Sequence, residues 1–450
     1  MSIKKELGKI FSLAWPLLIA QVTQTLMGVS DTIMAGRFSP TDMAAVAIGF
    51  SITMPVLFFV QGLVLALPPL ISRYNGSNQY DKVANTTQQT FYLVFVVALL
   101  AVSVSAWIPD VFALVEMEPE LRRITVEYVQ FILYSAPAFT CYQILRNFAE
   151  GLSVTKPTMI IMVLGLLVNI PANYVLIYGK FGFPAYGGVG CGIATAIVFF
   201  AMFIATLIYV MYSKTLSKYQ LFKTLYLPDL KMIKKTLDLG LPIAMTILFE
   251  VTLFGVVALL LSPLGSTIVA SHQVALNFSS IMFMFPLSIG MATSIRVSHL
   301  LGENDSDGAK QAVKGAMILG LSIACFTGLA TVIASQQIPH LYTKDLYVIE
   351  LAASLMMLAA MFQLSDAVQV ISAGALRGYK DTKAMFYITF ISYWLIGLPI
   401  GYILALTDWF YEPMGAAGFW IGFICGLSAA AVLLWLRLTN IQGRVEAITE

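Results

Sequence analysis

The sequence predicts an all-α membrane protein of twelve transmembrane helices in two parallel-repeat six-helix lobes. Three observations predict it. Of the 450 residues, 59% are hydrophobic and only 11% are charged, against about 25% charged in soluble domains. Twelve apolar stretches follow one another, most of them near the length that covers a hydrocarbon core of about 30 Å at about 1.5 Å per helical residue. The second half also repeats landmarks of the first at an offset of 226–228 residues: Pro16 and Pro242, Ala44 and Ala270, Ser72 and Ser298, Gly76 and Gly302, Gly151 and Gly378, Thr155 and Thr382, Lys156 and Lys383, and NIPANY at 169–174 with GLPIGY at 397–402.

The segments are placed in order. A basic start, MSIKKELGKI, leads into an apolar run over 11–36 that lacks a cleavage site, so it reads as a retained first helix. Spans at 44–71 and 89–114 flank the polar segment SRYNGSNQYDK, and a fourth at 126–150 precedes the Gly151–Lys156 landmark. The fifth, 158–179, carries Pro171, and the sixth is 187–212. Residues 213–235 hold six lysines and form the expected cytoplasmic linker between an N-lobe (1–212) and a C-lobe (236–450). The seventh span, 236–262, contains Glu250, and the eighth, 266–295, opens on His272 and Gln273 after a Ser-Pro-Leu-Gly turn. The rest fall at 314–336, 346–376, 384–406 and 414–436, the tenth containing Asp366. An even number of spans per half makes the repeats parallel, the arrangement of transporters with a substrate path between their halves.

Twelve spans put both termini on one side. With the N-terminus inside, 21 of the 26 Lys and Arg residues lie internally and 5 externally, so the positive-inside rule places both termini in the cytoplasm. The 26 basic and 24 acidic residues nearly cancel, which argues against a nucleic-acid partner. Cys141, Cys191, Cys325 and Cys425 are far apart and contain no CxxC, so they are expected as packing residues. The three histidines form no HExxH, and no GxxxxGK[ST] supports ATP-driven pumping. Asn85, in an expected internal loop, and Asn277, in a span, are poor glycan acceptors despite their N-x-[ST] triplets.

The chemistry centres on buried charge. No other Asp, Glu, Lys or Arg lies between Asp238 and Arg296 than Glu250, the twelfth of the 23 residues Leu239–Leu261. A charge near the bilayer midplane costs at least about 2.5–3.5 kcal/mol on insertion scales. Asp366, between Glu350 and Arg377, is the second midspan acid of the same half, with no Lys or Arg expected at matching depth. The pair is expected to bind Na⁺, a proton or a cationic substrate, the alternative being a shared proton at a helix contact. Arg296 sits nearer the internal end of its helix. Asp31 reads either as an interfacial carboxylate or, with Asn169, Asn173 and Thr195, as part of an oxygen-rich cation site. Asn169 and Asn173, four apart, share a helix face around Pro171, and could equally serve only the kinked helix. Gln273 has two open readings, cavity lining and interhelical hydrogen bonding. Phe254, one turn from Glu250, has two as well: stacking on a flat cation, or packing.

At these residues the chain resembles the multidrug and toxin extrusion (MATE) family, in its NorM-like branch. The resemblance rests on LAWPLLIAQ and GVSDTIMAGR in the first span, LPIAMTILFE in the seventh, ASHQVAL in the eighth and SDAVQVISAGALRGYKDTK across the tenth and its loop. It covers all twelve spans. It implies a V-shaped fold of two lobes, and antiport of cationic polyaromatic drugs or toxins against Na⁺ or H⁺ across a bacterial inner membrane. No enzymatic activity and no cofactor beyond the coupling ion are expected, and the chain is expected to work as a monomer. It also implies that Asp31, Glu250 and Asp366 occupy the family's acidic positions, and that Asn169, Asn173 and Thr195 lie near its N-lobe cation site. Asn173 stands where some relatives carry Asp, leaving one less negative charge. The rival reading, a flippase or exporter of a lipid-linked or other amphiphilic metabolite, requires a cleft lined by basic residues, and midspan Lys and Arg are scarce.

Overall fold

The computed structural model describes residues 3–114, 116–409 and 412–449, with side chains through Arg444. In chain order the helices are α1 (Ile3–Phe38), α2 (Pro40–Val64), α3 (Leu67–Gly76), α4 (Tyr80–Ser105), α5 (Ile108–Ala113), α6 (Pro119–Tyr134), α7 (Ala136–Gly151), α8 (Lys156–Tyr178), α9 (Gly188–Tyr212), α10 (Leu230–Leu261), α11 (Ser266–Gly302), α12 (Ser306–Ala334), α13 (Leu346–Gly378), α14 (Thr382–Phe390), α15 (Leu398–Leu406) and α16 (Ala416–Thr449). No strand occurs among the described residues.

Eleven helices among the described residues are long and apolar enough to cross a membrane, with α2–α3 and α14–α15 each counting as one. The remaining expected span, 126–150, is shared by α6 and α7, which meet at Ser135. Pro137 explains the junction: it has no N–H for the carbonyl of Leu133, and its ring crowds that carbonyl. Pro68 does the same between α2 and α3. Ahead of Pro399 the chain widens to π-helical geometry over Ile391–Gly397, another way of accommodating a missing donor. Asn85 lies in the helical start of α4 rather than in a loop.

The chain divides into two compact units, Ile19–Ala244 and Met1–Leu18 with Met245–Glu450. The first unit is packed around a continuous apolar core that includes Leu57, Leu63, Leu67, Ile71, Phe139 and Phe148. Residues 213–235, expected as a linker, fall within this unit. In the second unit α13 is central, packed on α11, α12 and α16. The α11–α13 approach needs glycine, because a Cβ at Gly374 would overlap the Gly290 carbonyl oxygen. Trp420 is buried and donates from Nε1 to His272 Nδ1 at 3.2 Å.

The α1 end is held by charge. Glu6 is fully buried and accepts from Arg296 Nε at 2.6 Å and Nη2 at 2.9 Å, a two-pronged pair, while Lys9 adds a contact at 3.1 Å. Arg296 is therefore committed to α1 and does not neutralise Glu250 or Asp366. A matching buried pair in the first unit, Arg146 Nε to Glu150 Oε1 at 2.7 Å, joins successive turns of α7, with Thr158 of α8 donating to the same oxygen.

Candidate functional site

The acidic residues singled out from sequence fall into two groups, one in each unit. In the first, Asp31 of α1 is 7% exposed, so it is not the interfacial, snorkelling carboxylate that its sequence position also allowed. Its Oδ1 accepts from Asn169 Nδ2 at 3.0 Å and Asn173 Nδ2 at 2.6 Å, both on α8. Its Oδ2 accepts from Thr195 Oγ1 of α9 at 3.2 Å. The helical spacing of four puts both asparagines on the Asp31 side, and Asn173 also donates to Asn169 Oδ1 at 3.2 Å. Around this group Tyr178 donates to the Met34 carbonyl, and the Cys191 thiol lies 3.5 Å from the Asp31 carbonyl. The Asn173 Oδ1 is buried with no partner among the described residues. The result is a carboxylate in a shell of neutral donors, with a free acceptor oxygen beside it.

In the second unit Asp366 of α13 is 3% exposed and lies close enough to Glu250 of α10 for the two charges to act on one another. Neither carboxylate accepts a hydrogen bond among the described residues. Asp366 also borders a small hollow lined by Met282, Pro286, Thr327 and Gln363. Two residues at this pair were not singled out from sequence. Arg377, on α13 with Asp366, is buried and acts electrostatically on Glu250. Arg377 lies in the last turn of α13, eleven residues beyond Asp366 and so about 16 Å along the helix, and it acts on Glu250 from the helix end rather than from matching depth. Tyr393, in the π-widened turn, is buried with its hydroxyl unpartnered and within the influence of both acids.

Phe254 packs edge-on against Phe423, ring centroids 5.2 Å apart, which is a packing contact within the second unit. Gln273 is exposed at the start of α11 beside the buried His272. The structure thus joins Asp31, Asn169, Asn173 and Thr195 by direct hydrogen bonds and brings Glu250 near Asp366. It gives Phe254 and Gln273 no hydrogen bond to either group. Among the described residues no three His, Cys, Asp or Glu side chains converge as a metal site.

Eleven helices among the described residues that are long and apolar enough to cross a membrane, with carboxylates buried within the units they form, define the class as a multi-pass helical membrane protein. The sequence profile of the MatE family matches residues 16–175 and 242–403, and the chain belongs to that family. It is 50% identical over 439 residues to the multidrug resistance protein NorM of Photobacterium profundum, covering 98% of this chain and 96% of that one. It is 52% identical over 434 residues to the probable multidrug resistance protein NorM of Shewanella oneidensis, covering 96% and 95%. The crystal structure of the eukaryotic MATE transporter AtDTX14 superposes with a TM-score of 0.87 at 23% identity, over 98% of this chain and 99% of that one. The fold is therefore that of MATE transporters.

Proposed function

We propose that this chain is a multidrug exporter of a bacterial inner membrane that drives cationic polyaromatic compounds outward by antiport with Na⁺ or H⁺. Both termini lie on the cytoplasmic side in this reading, the lobes are 1–212 and 236–450, and a monomer suffices. The family and the names of the relatives support export of drugs. The observation that carries the coupling is the pair Glu250 and Asp366, a half-buried and a buried acid that accept no hydrogen bond among the described residues. Such groups are costly to keep in a membrane and find their compensation in a bound cation, a proton or a cationic substrate.

In the cycle, an external cation occupies Glu250 and Asp366 and displaces the drug. Access then changes, the cation leaves inside and another drug enters. Coupling arises because one set of carboxylates cannot neutralise both ligands at once. Arg377 offsets part of the charge on Glu250, and the Tyr393 hydroxyl supplies an oxygen to the bound cation. Asp31, with Asn169, Asn173 and Thr195, forms a second cation site. Gln273, exposed on α11, lines the drug path, and Phe254 borders it through its packing on Phe423.

Two cation sites imply more than one cation per drug. A one-for-one exchange of monovalent cations moves no net charge, and a tenfold Na⁺ gradient then contributes only about 1.4 kcal/mol. A second cation adds about 2.3 kcal/mol per 100 mV. Efflux of a monocationic dye from oriented proteoliposomes, with Na⁺ and pH gradients imposed separately, identifies the ion. Under a potassium–valinomycin clamp an inside-negative potential stimulates efflux at fixed Na⁺ and pH. Efflux indifferent to the clamp means one-for-one exchange and removes the second site.

A further inference from the structure

The segment between α9 and α10 is strapped to α4 by side chains that use both ends of their amides. Gln88 donates to the carbonyls of Leu221 at 2.6 Å and Thr224 at 2.7 Å, and accepts from the Tyr226 N–H at 2.8 Å. Gln89 donates to the Leu227 carbonyl at 2.9 Å and accepts from the Asp229 N–H at 2.8 Å. Tyr92 donates to the Tyr226 carbonyl, and Tyr219 to Asn75 Oδ1. Leu216, Tyr219 and Leu221 are buried against the first unit. The backbone of this segment is thus held against α4 through both its N–H and its carbonyl groups.

What the strap turns outward is unusual for a polar loop. Leu225 is 81% exposed, Leu227 86% and Leu230 79%, with Phe222 also exposed. Around them stand six exposed lysines, from Lys214 to Lys235, and a single acid, Asp229. Three large leucines held in water would be a standing cost. A water-facing partner protein would cover them as well, but the strap begins where α9 ends and runs into the first turns of α10, at the level where both spans leave the bilayer. Apolar side chains amid lysines at that level suit an interfacial element, its leucines in the headgroup boundary and its ammonium groups among anionic headgroups.

We infer that residues 213–235 form a rigid interfacial strap that binds the anionic phospholipids of the leaflet it borders. The inference rests on α9 and α10 being spans and is independent of what is transported. Its test uses the full chain with the four native cysteines replaced, carrying Leu227→Cys labelled with an environment-sensitive fluorophore, in phosphatidylcholine nanodiscs with or without phosphatidylglycerol. Phosphatidylglycerol should shift emission to the blue and raise its intensity. Lys223→Gln and Lys231→Gln should each weaken the apparent affinity for phosphatidylglycerol about fivefold, from about 1 kcal/mol per lysine near a charged leaflet. Emission of a water-exposed dye in both lipids would overturn the inference. So would lipid-independent emission that rises with protein concentration, which would mark a second copy as the occupant. Dye efflux measured on the same discs' parent protein in vesicles reports the transport reading separately, since lipid sensitivity at Leu227 does not require a functional Glu250.

Discussion

In the first unit Asp31 accepts hydrogen bonds from three side chains on two other helices; in the second, Glu250 and Asp366 accept none among the described residues and lie within electrostatic reach of one another. All three are carboxylates within long apolar helices, yet their charge is managed in different ways. Neutral amides and a hydroxyl replace the water that Asp31 loses, and they hold it in one geometry before any ion arrives. The other pair has only a nearby arginine and an unpartnered tyrosine hydroxyl. A preorganised acid can keep its charge without a ligand. A pair of unsatisfied acids responds strongly to what binds it, which is the property that coupling requires.

The largest expected effect comes from removing that response. Glu250→Gln and Asp366→Asn should each leave expression and insertion near normal, because a buried charge is lost, while cation-driven dye efflux falls to background. Full efflux in both variants would break the comparison at its main point. Next is Tyr393→Phe, which removes one hydroxyl from the same pair. It should raise the Na⁺ concentration needed for half-maximal efflux by roughly tenfold, on the order of one hydrogen bond to a charged group, with thermal stability unchanged. An unchanged cation dependence would take Tyr393 out of the site.

In the first unit the order of effects should reverse, with stability moving more than coupling. Asn169→Leu takes a donor from Asp31 and an acceptor from Asn173, and should destabilise the folded protein by about 1–3 kcal/mol, read as a lower melting temperature in detergent. Thr195→Val removes a single 3.2 Å bond to Asp31 and should cost about 1 kcal/mol, the smallest change. If Na⁺ raises the melting temperature of the parent and not of these variants, the Asp31 group binds the ion. If both variants melt like the parent, the shell around Asp31 does not hold it in place.

Much of this was legible because membrane spans advertise themselves locally. Glu250 stood out as one charge in a run of apolar residues, and the spacing of Asn169 and Asn173 gave them a common face. Their meeting with Asp31 joins residues 138 and 142 positions apart, which no local spacing encodes. Arg296 illustrates the limit from the other side. Nothing near it in the chain points to Glu6, 290 residues away, and the pair exists only because α1 returns to α11. Tyr393 carried no signal at all, since an aromatic in a span is ordinarily packing; only its buried, unpartnered hydroxyl within electrostatic reach of two acids separates it from the other 19 tyrosines.

The sequence by itself determined the spans, their number within one broken helix and the asymmetry of basic residues, because backbone polar groups in hydrocarbon must pair within their own helix and that demand is met residue by residue. Only the tertiary structure decided which buried acid has donors and which has none. A side-chain hydrogen bond forms or fails within a few tenths of an ångström, and that distance is fixed by how helices remote in the chain pack together.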